Sequence, residues 1–250
     1  MPDLHTARLS THNLCHDKHD DNMTIQGISS MATRQLLAEL VADYTKQAGI
    51  AIHIESVGGV DAAKRVQAGE PFDVIVLASD AIDKLIDAGY IDPTSKVNLV
   101  NSGVAVAVKA GATMPDISSE AAVKQAVIAA KTISYSTGPS GVALAKLFER
   151  WGIAEQIASR IVQAPPGVPV GSLVAKGEVE LGFQQRSELI HLDGISIVGP
   201  LPPEIQIITT FSAGVCTASR QADAVREMLA YMTSPAATAA KLRQGMEVIQ

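Results

Sequence analysis

The feature that most constrains the fold is a regular alternation of apolar runs and helical patterns in the first third of the chain. Residues 72–79, FDVIVLAS, form a continuous apolar run, which is typical of a parallel strand buried on both faces. Shorter strand patterns occupy 24–31 and 50–57. Each strand pattern leads into a helical one, at 32–49, 58–69 and 80–91. This β-α-β-α-β-α order predicts a parallel α/β layer, with Asp80 as the cap of the third helix.

The rest of the chain contains two long strand patterns, 97–111 and 205–217, that bracket a block of shorter elements. Long strands that change neighbours can link two lobes. We therefore predict that 23–103 and 205–250 form the first lobe and that 104–204 form the second. Ligands of open α/β sheets bind at the carboxyl ends of strands, so the cleft between the lobes is the predicted site. Within the second lobe the predicted strands are 132–136, 159–165, 179–185 and 195–202.

The composition excludes several classes of function. The chain has 250 residues, of which 47% are hydrophobic and 18% charged, with a net charge of −6 and no basic run, so no nucleic acid is expected as a partner. No stretch of about 18 apolar residues is present, and we expect no membrane insertion. Cys15 and Cys216 are too few for a disulfide framework and lack metal-ligating neighbours at helical spacing. We therefore predict two free thiols, no bound metal and no cofactor.

The first 22 residues, MPDLHTARLSTHNLCHDKHDDN, are polar and contain no apolar segment of the kind that a secretory signal needs. We predict that 1–22 is a disordered leader and that the folded chain begins near Met23. The sequence as written indicates a cytoplasmic protein, and a leader that is not native would indicate a periplasmic one. The histidines of this segment have only loose metal-binding spacing, and we assign them to the leader: His5, His12, His16 and His19.

Glycines and hydroxyl residues follow nearly every predicted strand, at the point where a helix begins. A helix N-terminus can bind an anion because its N–H groups are free and its end of the helix dipole is positive. Glycine allows the ligand to approach the backbone closely, and serine adds a hydroxyl donor. One such junction is only a capped turn, and GPSG at 138–141 lacks the spacing of a nucleotide-binding fingerprint. Several junctions in one cleft predict a site for a compact anion. Its predicted ligand-binding residues are Ser29, Ser30, Gly58, Gly59, Ser79, Ser136, Ser140, Gly141, Val142 and Val170.

The chain offers few charged or amide side chains near the predicted cleft. Arg34, Arg65 and Arg186 could each bind a ligand carboxylate through the guanidinium fork, and we favour Arg65 as the clamp. Gln184 and Gln185 end a strand and complete the predicted ligand-binding set, with one amide facing the cleft and the other the core. No histidine, carboxylate or serine stands in a recognisable catalytic pattern, so the catalytic residue stays unknown.

Three stretches carry a resemblance to a known superfamily: ISS after the first strand, SVGGVDAAKRVQAGEPFDVIVLASDAIDKLIDAGYID in the first lobe and VAKGEVELGF in the second. From Met23 onward the chain resembles the type 2 periplasmic-binding proteins, in the branch of the molybdate-binding proteins of ABC transporters. The resemblance implies two lobes, each a mostly parallel sheet flanked by helices, with two crossover strands at the hinge. It also implies a small anionic ligand and, for an exported protein, an ABC transporter permease as partner.

Two positions depart from the molybdate binders. Gly58 and Gly59 offer only backbone donors where those proteins usually carry hydroxyls, and Gln184 and Gln185 replace a commonly used tyrosine. The second lobe is more similar to the bacterial aconitate isomerases, which are homologues of the molybdate binders, through YSTGPSGVAL, VPVGSLVAKGEVELGFQQRSEL and GISIVGPLP. This similarity implies binding of a small polycarboxylate, trans- or cis-aconitate, and a shift of its double bond.

The sequence leaves more than one function open. An isomerase needs the anion-holding junctions and a base, whereas a non-catalytic solute-binding protein for molybdate-like oxyanions or small carboxylates needs only the junctions and export. A cytoplasmic ligand sensor is a third reading, although the chain shows no attached DNA-binding or output domain. The polar leader and the GFQQ run favour the isomerase.

Overall fold

The fold is described from a computed structural model and covers residues 24–165 and 167–249, so the predicted leader 1–22 lies outside the described residues. The strands are β1 (Thr24–Ser30), β2 (Ala51–Val57), β3 (Val74–Ala78), β4 (Val97–Lys109), β5 (Ile133–Tyr135), β6 (Leu181–Gln185), β7 (Ile195–Pro200) and β8 (Ile208–Val215). The helices are α1 (Arg34–Ala48), α2 (Gly59–Gln67), α3 (Ser79–Asp87), α4 (Glu120–Ala129), α5 (Pro139–Arg150), α6 (Ala154–Ile157), α7 (Val170–Lys176), α8 (Arg186–Leu189), α9 (Ala222–Thr233) and α10 (Thr238–Arg243). A short 3-10 turn, Met31–Thr33, joins β1 to α1.

The strands form two sheets, which share β4 and so make one continuous eight-stranded mixed sheet, and in each of the two most strands run in the same direction, as predicted. The first has the order β2-β1-β3-β8-β4, in which only β8 is reversed. In the second, β5 and β6 are parallel to each other, and β4 runs antiparallel to both β6 and β7. Each sheet therefore contains one reversed strand, and that strand is one of the two that connect the lobes.

The predicted crossover strands are β4 and β8. β4 pairs with β8 as far as Gly103, opposite Ile208, and with β6 from Val104, opposite Gln185. The chain thus enters the second lobe through β4 and returns through β8. The change of partner within β4 falls at the predicted boundary between residues 103 and 104, and the division into lobes stays a prediction. It also puts the carboxyl end of β6 at the crossing between the lobes.

Each sheet is covered by apolar side chains of its own helices. In β3, Val74 packs with residues of α1 and α9, whereas Ile75 faces the core formed with α2 and α3. Both faces of β3 are therefore buried, which explains its continuous apolar run. In the second lobe, the rings of Phe148 and Phe183 meet edge to face with centroids 6.2 Å apart. Full burial of one such side chain stabilises the fold by roughly 1.5–3 kcal/mol.

The strand predicted at 159–165 is only a single bridge between Ile161 and Ile133. The Val162 amide also bonds the Ile133 carbonyl, at 2.8 Å. No further bridge follows at 162–165, so the segment forms no strand.

Asp80 does not cap α3, because the helix begins one residue earlier, at Ser79. Asp80 instead lies in the first turn, where its negative charge is favourable near the positive end of the helix dipole. Its carboxylate is 3.7 Å from Lys84, one turn further along the helix.

Candidate ligand-binding cleft

The ends of β1 and β2 lie side by side at the carboxyl edge of the first sheet. Ser29 and Ser30 end β1, both are buried, and their side chains lie on opposite faces of the strand. The Ser29 hydroxyl is 2.7 Å from the Ser56 hydroxyl of β2, so it links the two strands. A Cβ added at Gly59 would lie 3.8 Å from Cβ of Ser30. The structure therefore brings Ser30 together with the start of α2 at Gly58 and Gly59.

A cavity of about 260 Å³ lies between the start of α3 and the start of α5. Its walls come from both lobes and from the segment leading into the crossing strand β8 and its first residues. A water molecule occupies roughly 30 Å³ in the liquid, so the volume suits a compact ligand. The cavity is lined by Ala78, Ser79, Asp80, Pro139, Ala143, Ile207, Ile208, Thr209 and Thr210.

The second-lobe wall includes the start of α5, within the stretch YSTGPSGVAL. The hydroxyls of Ser136 and Ser140 are 3.2 Å apart, on either side of the point where the helix begins. A Cβ added at Gly141 would lie 1.6 Å from the carbonyl oxygen of Ser136, so only glycine fits there. The amides of Ser140 and Gly141 belong to the first turn, whose N–H groups lack intrahelical acceptors. Two hydroxyls and two amides thus form a neutral donor group.

Val142 does not belong to that donor group. Its amide donates to the carbonyl of Gly138 at 3.1 Å, which is the first regular bond of the helix. Its side chain is exposed. The sequence prediction for Val142 is therefore corrected, and the free amides of α5 end at Gly141.

Arg65, the predicted carboxylate clamp, is bound by the protein itself. Its guanidinium donates to Glu70 at 2.7–2.9 Å, lies 2.8 Å from Glu55 and stacks over the ring of Phe72. The hydrogen bonds that Arg65 donates to Glu70 and then to Glu55 raise its pKa. Arg65 is also six residues beyond Gly59 on α2, which is about 9 Å along the helix axis. We therefore remove Arg65 from the candidate site.

The two glutamines at the end of β6 bond to different elements, as the alternation of a strand requires. Gln184 accepts from the Gly171 amide in the first turn of α7 at 3.1 Å and donates to the Glu188 carboxyl at 2.9 Å. Gln185 donates to the Thr209 hydroxyl at 2.8 Å, and Thr209 lines the cavity. The side-chain amide oxygen of Gln185 is buried and has no hydrogen-bond partner among the described residues.

Glu188 is a candidate functional residue that the sequence analysis missed. It lies on α8, directly after β6, and is half-buried beside the first turn of α7, which begins at the buried Val170. Burial raises the pKa of Glu188 to about 7, and the hydrogen bond from Gln184 opposes that rise only in part. A carboxyl group with such a pKa can accept and return a proton near neutral pH. The only signal in the sequence was its spacing of four residues from Gln184.

Residues 24–165 and 167–249 offer no clear alternative chemistry. Within them, no group of three or more His, Cys, Asp or Glu is placed to hold a metal ion, and no helix is long and apolar enough to cross a membrane. Cys216 is buried, and desolvation together with the charge of Asp73 raises the pKa of its thiol to about 12. Such a thiol is a poor nucleophile. Cys15 and the four leader histidines lie outside the described residues.

The two sheets, the two crossing strands and the cleft between the lobes define a two-lobed ligand-binding protein of the type 2 periplasmic-binding fold. The chain belongs to the bacterial extracellular solute-binding protein family, whose model matches residues 25–247. It is 35% identical over 232 residues to an aconitate isomerase from a Pseudomonas species, and this match covers 90% of the chain and 88% of that protein.

Solved structures confirm the predicted fold. The periplasmic molybdate-binding protein of Azotobacter vinelandii is similar with a TM-score of 0.76 and 21% identity, covering 90% of this chain and 100% of that one. The sulfate-binding protein of Mycobacterium tuberculosis H37Rv is similar with a TM-score of 0.74 and 13% identity, covering 91% and 87%. At these identities the likeness concerns the fold.

Proposed function

We propose that the protein binds a small polycarboxylate in the cleft and shifts its double bond, as an aconitate-isomerase-like enzyme. The observation that carries this proposal is the neutral donor group at the start of α5, a helix that lines a cavity through Pro139 and Ala143 opposite Ser79 of the first lobe. The 35% identity to an aconitate isomerase over most of both chains supports trans- and cis-aconitate as the substrates. Ser30, Gly58 and Gly59 complete the proposed binding set on the other wall.

Neutral donors suit the proposed reaction. Moving the double bond requires an allylic anion whose charge spreads onto the neighbouring carboxylates. Hydroxyls and amides fixed by a helix start stabilise that charge where it develops, at little cost of reorganisation. Serine hydroxyls can also rotate to follow the changing acceptor positions.

The alternative is a solute-binding protein without chemistry, for molybdate-like oxyanions or small carboxylates. The same hydroxyls and amides would hold either ligand by hydrogen bonds from neutral donors. In that case the protein would deliver its ligand to an ABC transporter permease.

One experiment separates the two. The purified protein is mixed with trans-aconitate, and the proton NMR spectrum is followed for cis-aconitate. Thermal stabilisation by aconitate, citrate, molybdate and tungstate is measured in parallel. We expect turnover together with stabilisation by the carboxylates. Strong stabilisation by molybdate or tungstate without turnover would overturn the enzyme proposal in favour of the alternative.

A variant pair tests the donor group itself. Ser136→Ala combined with Ser140→Ala removes both hydroxyls and should weaken aconitate binding by about 5- to 150-fold, since each lost hydrogen bond costs roughly 0.5–1.5 kcal/mol. Ser159→Ala, an exposed serine of the same lobe, is the control and should bind as the wild type does. Equal affinity in all three proteins contradicts the proposed wall.

We propose a periplasmic location, because the family is described as extracellular. The gene with its natural upstream sequence is expressed in a bacterial host, and the periplasmic extract is compared with the cytoplasm. Retention in the cytoplasm would favour the location that the sequence as written indicated.

A further inference from the structure

We propose that the Glu188 carboxylate is the group that removes and returns the proton during the isomerisation, an inference that rests on the proposed function. The sequence analysis named no base. Three features of Glu188 support this role: its position at the crossing between the lobes, the fixed orientation of its carboxyl group and its uncharged surroundings.

Glu188 follows the strand whose carboxyl end meets the crossing between the lobes. Gln185, the last residue of β6, pairs with Val104, where β4 changes its partner. Glu188 is three residues further, in the first turn after the strand. In open α/β sheets, ligands bind beyond the carboxyl ends of the strands.

The helix that carries Glu188 lies between the two lobes. The Ser187 hydroxyl donates to the Ala32 carbonyl at 2.9 Å, and Ala32 belongs to the 3-10 turn directly after Ser30. On the other side, a Cβ at Gly171 of α7 would meet the Leu189 side chain at 2.9 Å. α8 therefore lies between the 3-10 turn that follows Ser30 and the first turn of α7.

The carboxyl group is held in one orientation by uncharged neighbours. The backbone amide of Gly171 donates to the side-chain oxygen of Gln184. This bond orients the side-chain amide, so that its nitrogen donates to the Glu188 carboxyl. The ionisable side chains next to it along the chain have other contacts, since Arg186 packs against Gly245 and His191 bonds to Gln244. No ion pair among the described residues includes Glu188, and desolvation accordingly raises its pKa to about 7.

Other carboxylates near the cleft are less suited to proton transfer. Asp80 lines the cavity, but it is exposed and lies near Lys84. Glu55 and Glu70 are both bound to Arg65, and the hydrogen bond from Arg65 lowers the pKa of Glu70. A base that also has to return the proton works best with a pKa near the operating pH.

The proposed step needs a single carboxyl group. Glu188 removes a proton from the methylene carbon of aconitate, and the C–H electron pair joins the adjacent double bond in a three-carbon allylic anion. The same carboxyl then gives its proton to the far carbon of that unit, which becomes the new methylene. The double bond has moved by one position, Glu188 is again a carboxylate, and no further reactant is consumed.

The test uses Glu188→Gln, which keeps an oxygen that can accept from Gln184. Aconitate affinity should stay within about threefold of the wild type, whereas the isomerisation rate should fall roughly 10²- to 10⁴-fold. Entry of deuterium from heavy water into aconitate should be lost to the same extent. The matched control is Glu178→Gln, an exposed glutamate of the same lobe, and it should keep the wild-type rate.

A pH profile adds a measurement that a structural role would not alter. Because the base must be ionised, wild-type kcat/KM should rise with pH up to about 7 and then level off. A profile that is flat between about pH 5.5 and 8.5 overturns the inference, even if the Gln variant fails to fold.

The outcomes distinguish this inference from the proposed function. If the wild type does not isomerise aconitate, the proposed function fails and the role of Glu188 fails with it. If the wild type turns over and Glu188→Gln keeps more than about a tenth of its rate, only the inference about Glu188 is overturned.

Discussion

Arg34 and Arg65 both follow strands of the first lobe, but only Arg65 is held by carboxylates of the protein. Arg34 is exposed at the first residue of α1, four residues beyond Ser30. We predict that Arg34→Ala weakens aconitate binding by roughly 10- to 100-fold, since a charged hydrogen bond contributes about 1.5–3 kcal/mol. Arg65→Ala should bind normally and melt at a slightly lower temperature. Isothermal titration calorimetry checks both, and the reverse order would restore Arg65 as the clamp.

Gly141 offers a second test at this scale. A Cβ there would overlap the Ser136 carbonyl, so Gly141→Ala should move the loop, weaken ligand binding and cost roughly 1–3 kcal/mol of stability. Gly138→Ala is the control, because its nearest neighbour would be the Ser136 hydroxyl at 3.9 Å and its φ is −78°. Urea unfolding and calorimetry compare the two. Similar losses in both variants contradict a specific requirement at Gly141.

The type of residue at a strand end could be predicted from sequence, but its partners could not. Serine and glycine after β1 and before α5 follow from what a helix start needs. The binding of Arg65 by Glu55 and Glu70 depends on how α2 packs against β2, which no local pattern shows. Glu188 likewise resembles an ordinary helical glutamate until its burial is known.

Helix α8 should make the stability of the protein depend on pH, because it carries Glu188. The folded-state pKa of Glu188 is about 7, above the ordinary value of 4.5, so between these values the folded state binds more protons than the unfolded state. Stability therefore falls as pH rises through this range, by an amount on the order of 3 kcal/mol at full effect. Glu188→Gln removes this contribution of the carboxyl group to the pH dependence of stability.

The measurement is the difference in unfolding free energy between Glu188→Gln and the wild type. We expect the variant to gain stability relative to the wild type from about pH 4.5 to 7, with no further change above that. Glu178→Gln should follow the wild type throughout. A difference that is constant with pH would show that the Glu188 carboxyl titrates normally in the folded protein.

Elements with strong periodicity were predicted well, and short ones less so. The apolar run of β3 and the helical spacing of α1 are long enough to outweigh local exceptions. The run at 159–165 has strand composition, but a strand also needs a partner edge along its length, and only Ile161 forms a bridge. Composition alone does not reveal this.

At the scale of the whole molecule, the two lobes differ in how the chain forms them. In the proposed division, the second comes from one continuous segment, whereas the first needs both ends of the chain. We predict that a chain ending at residue 204 folds its second lobe but leaves the first without amide protection. Hydrogen exchange with mass spectrometry compares this truncation with the full chain. Native-like protection in β1 and β3 of the truncated chain contradicts the proposed division.

The place of β8 has a consequence for how the protein is made. This strand fills the centre of the first sheet, between β3 and β4, yet it leaves the ribosome after the entire second lobe. Until then β3 and β4 each have an unpaired edge, and such edges pair readily with other strands. The nascent chain therefore has one finished lobe and one unfinished sheet, and it gains a ligand cleft only when synthesis is nearly complete.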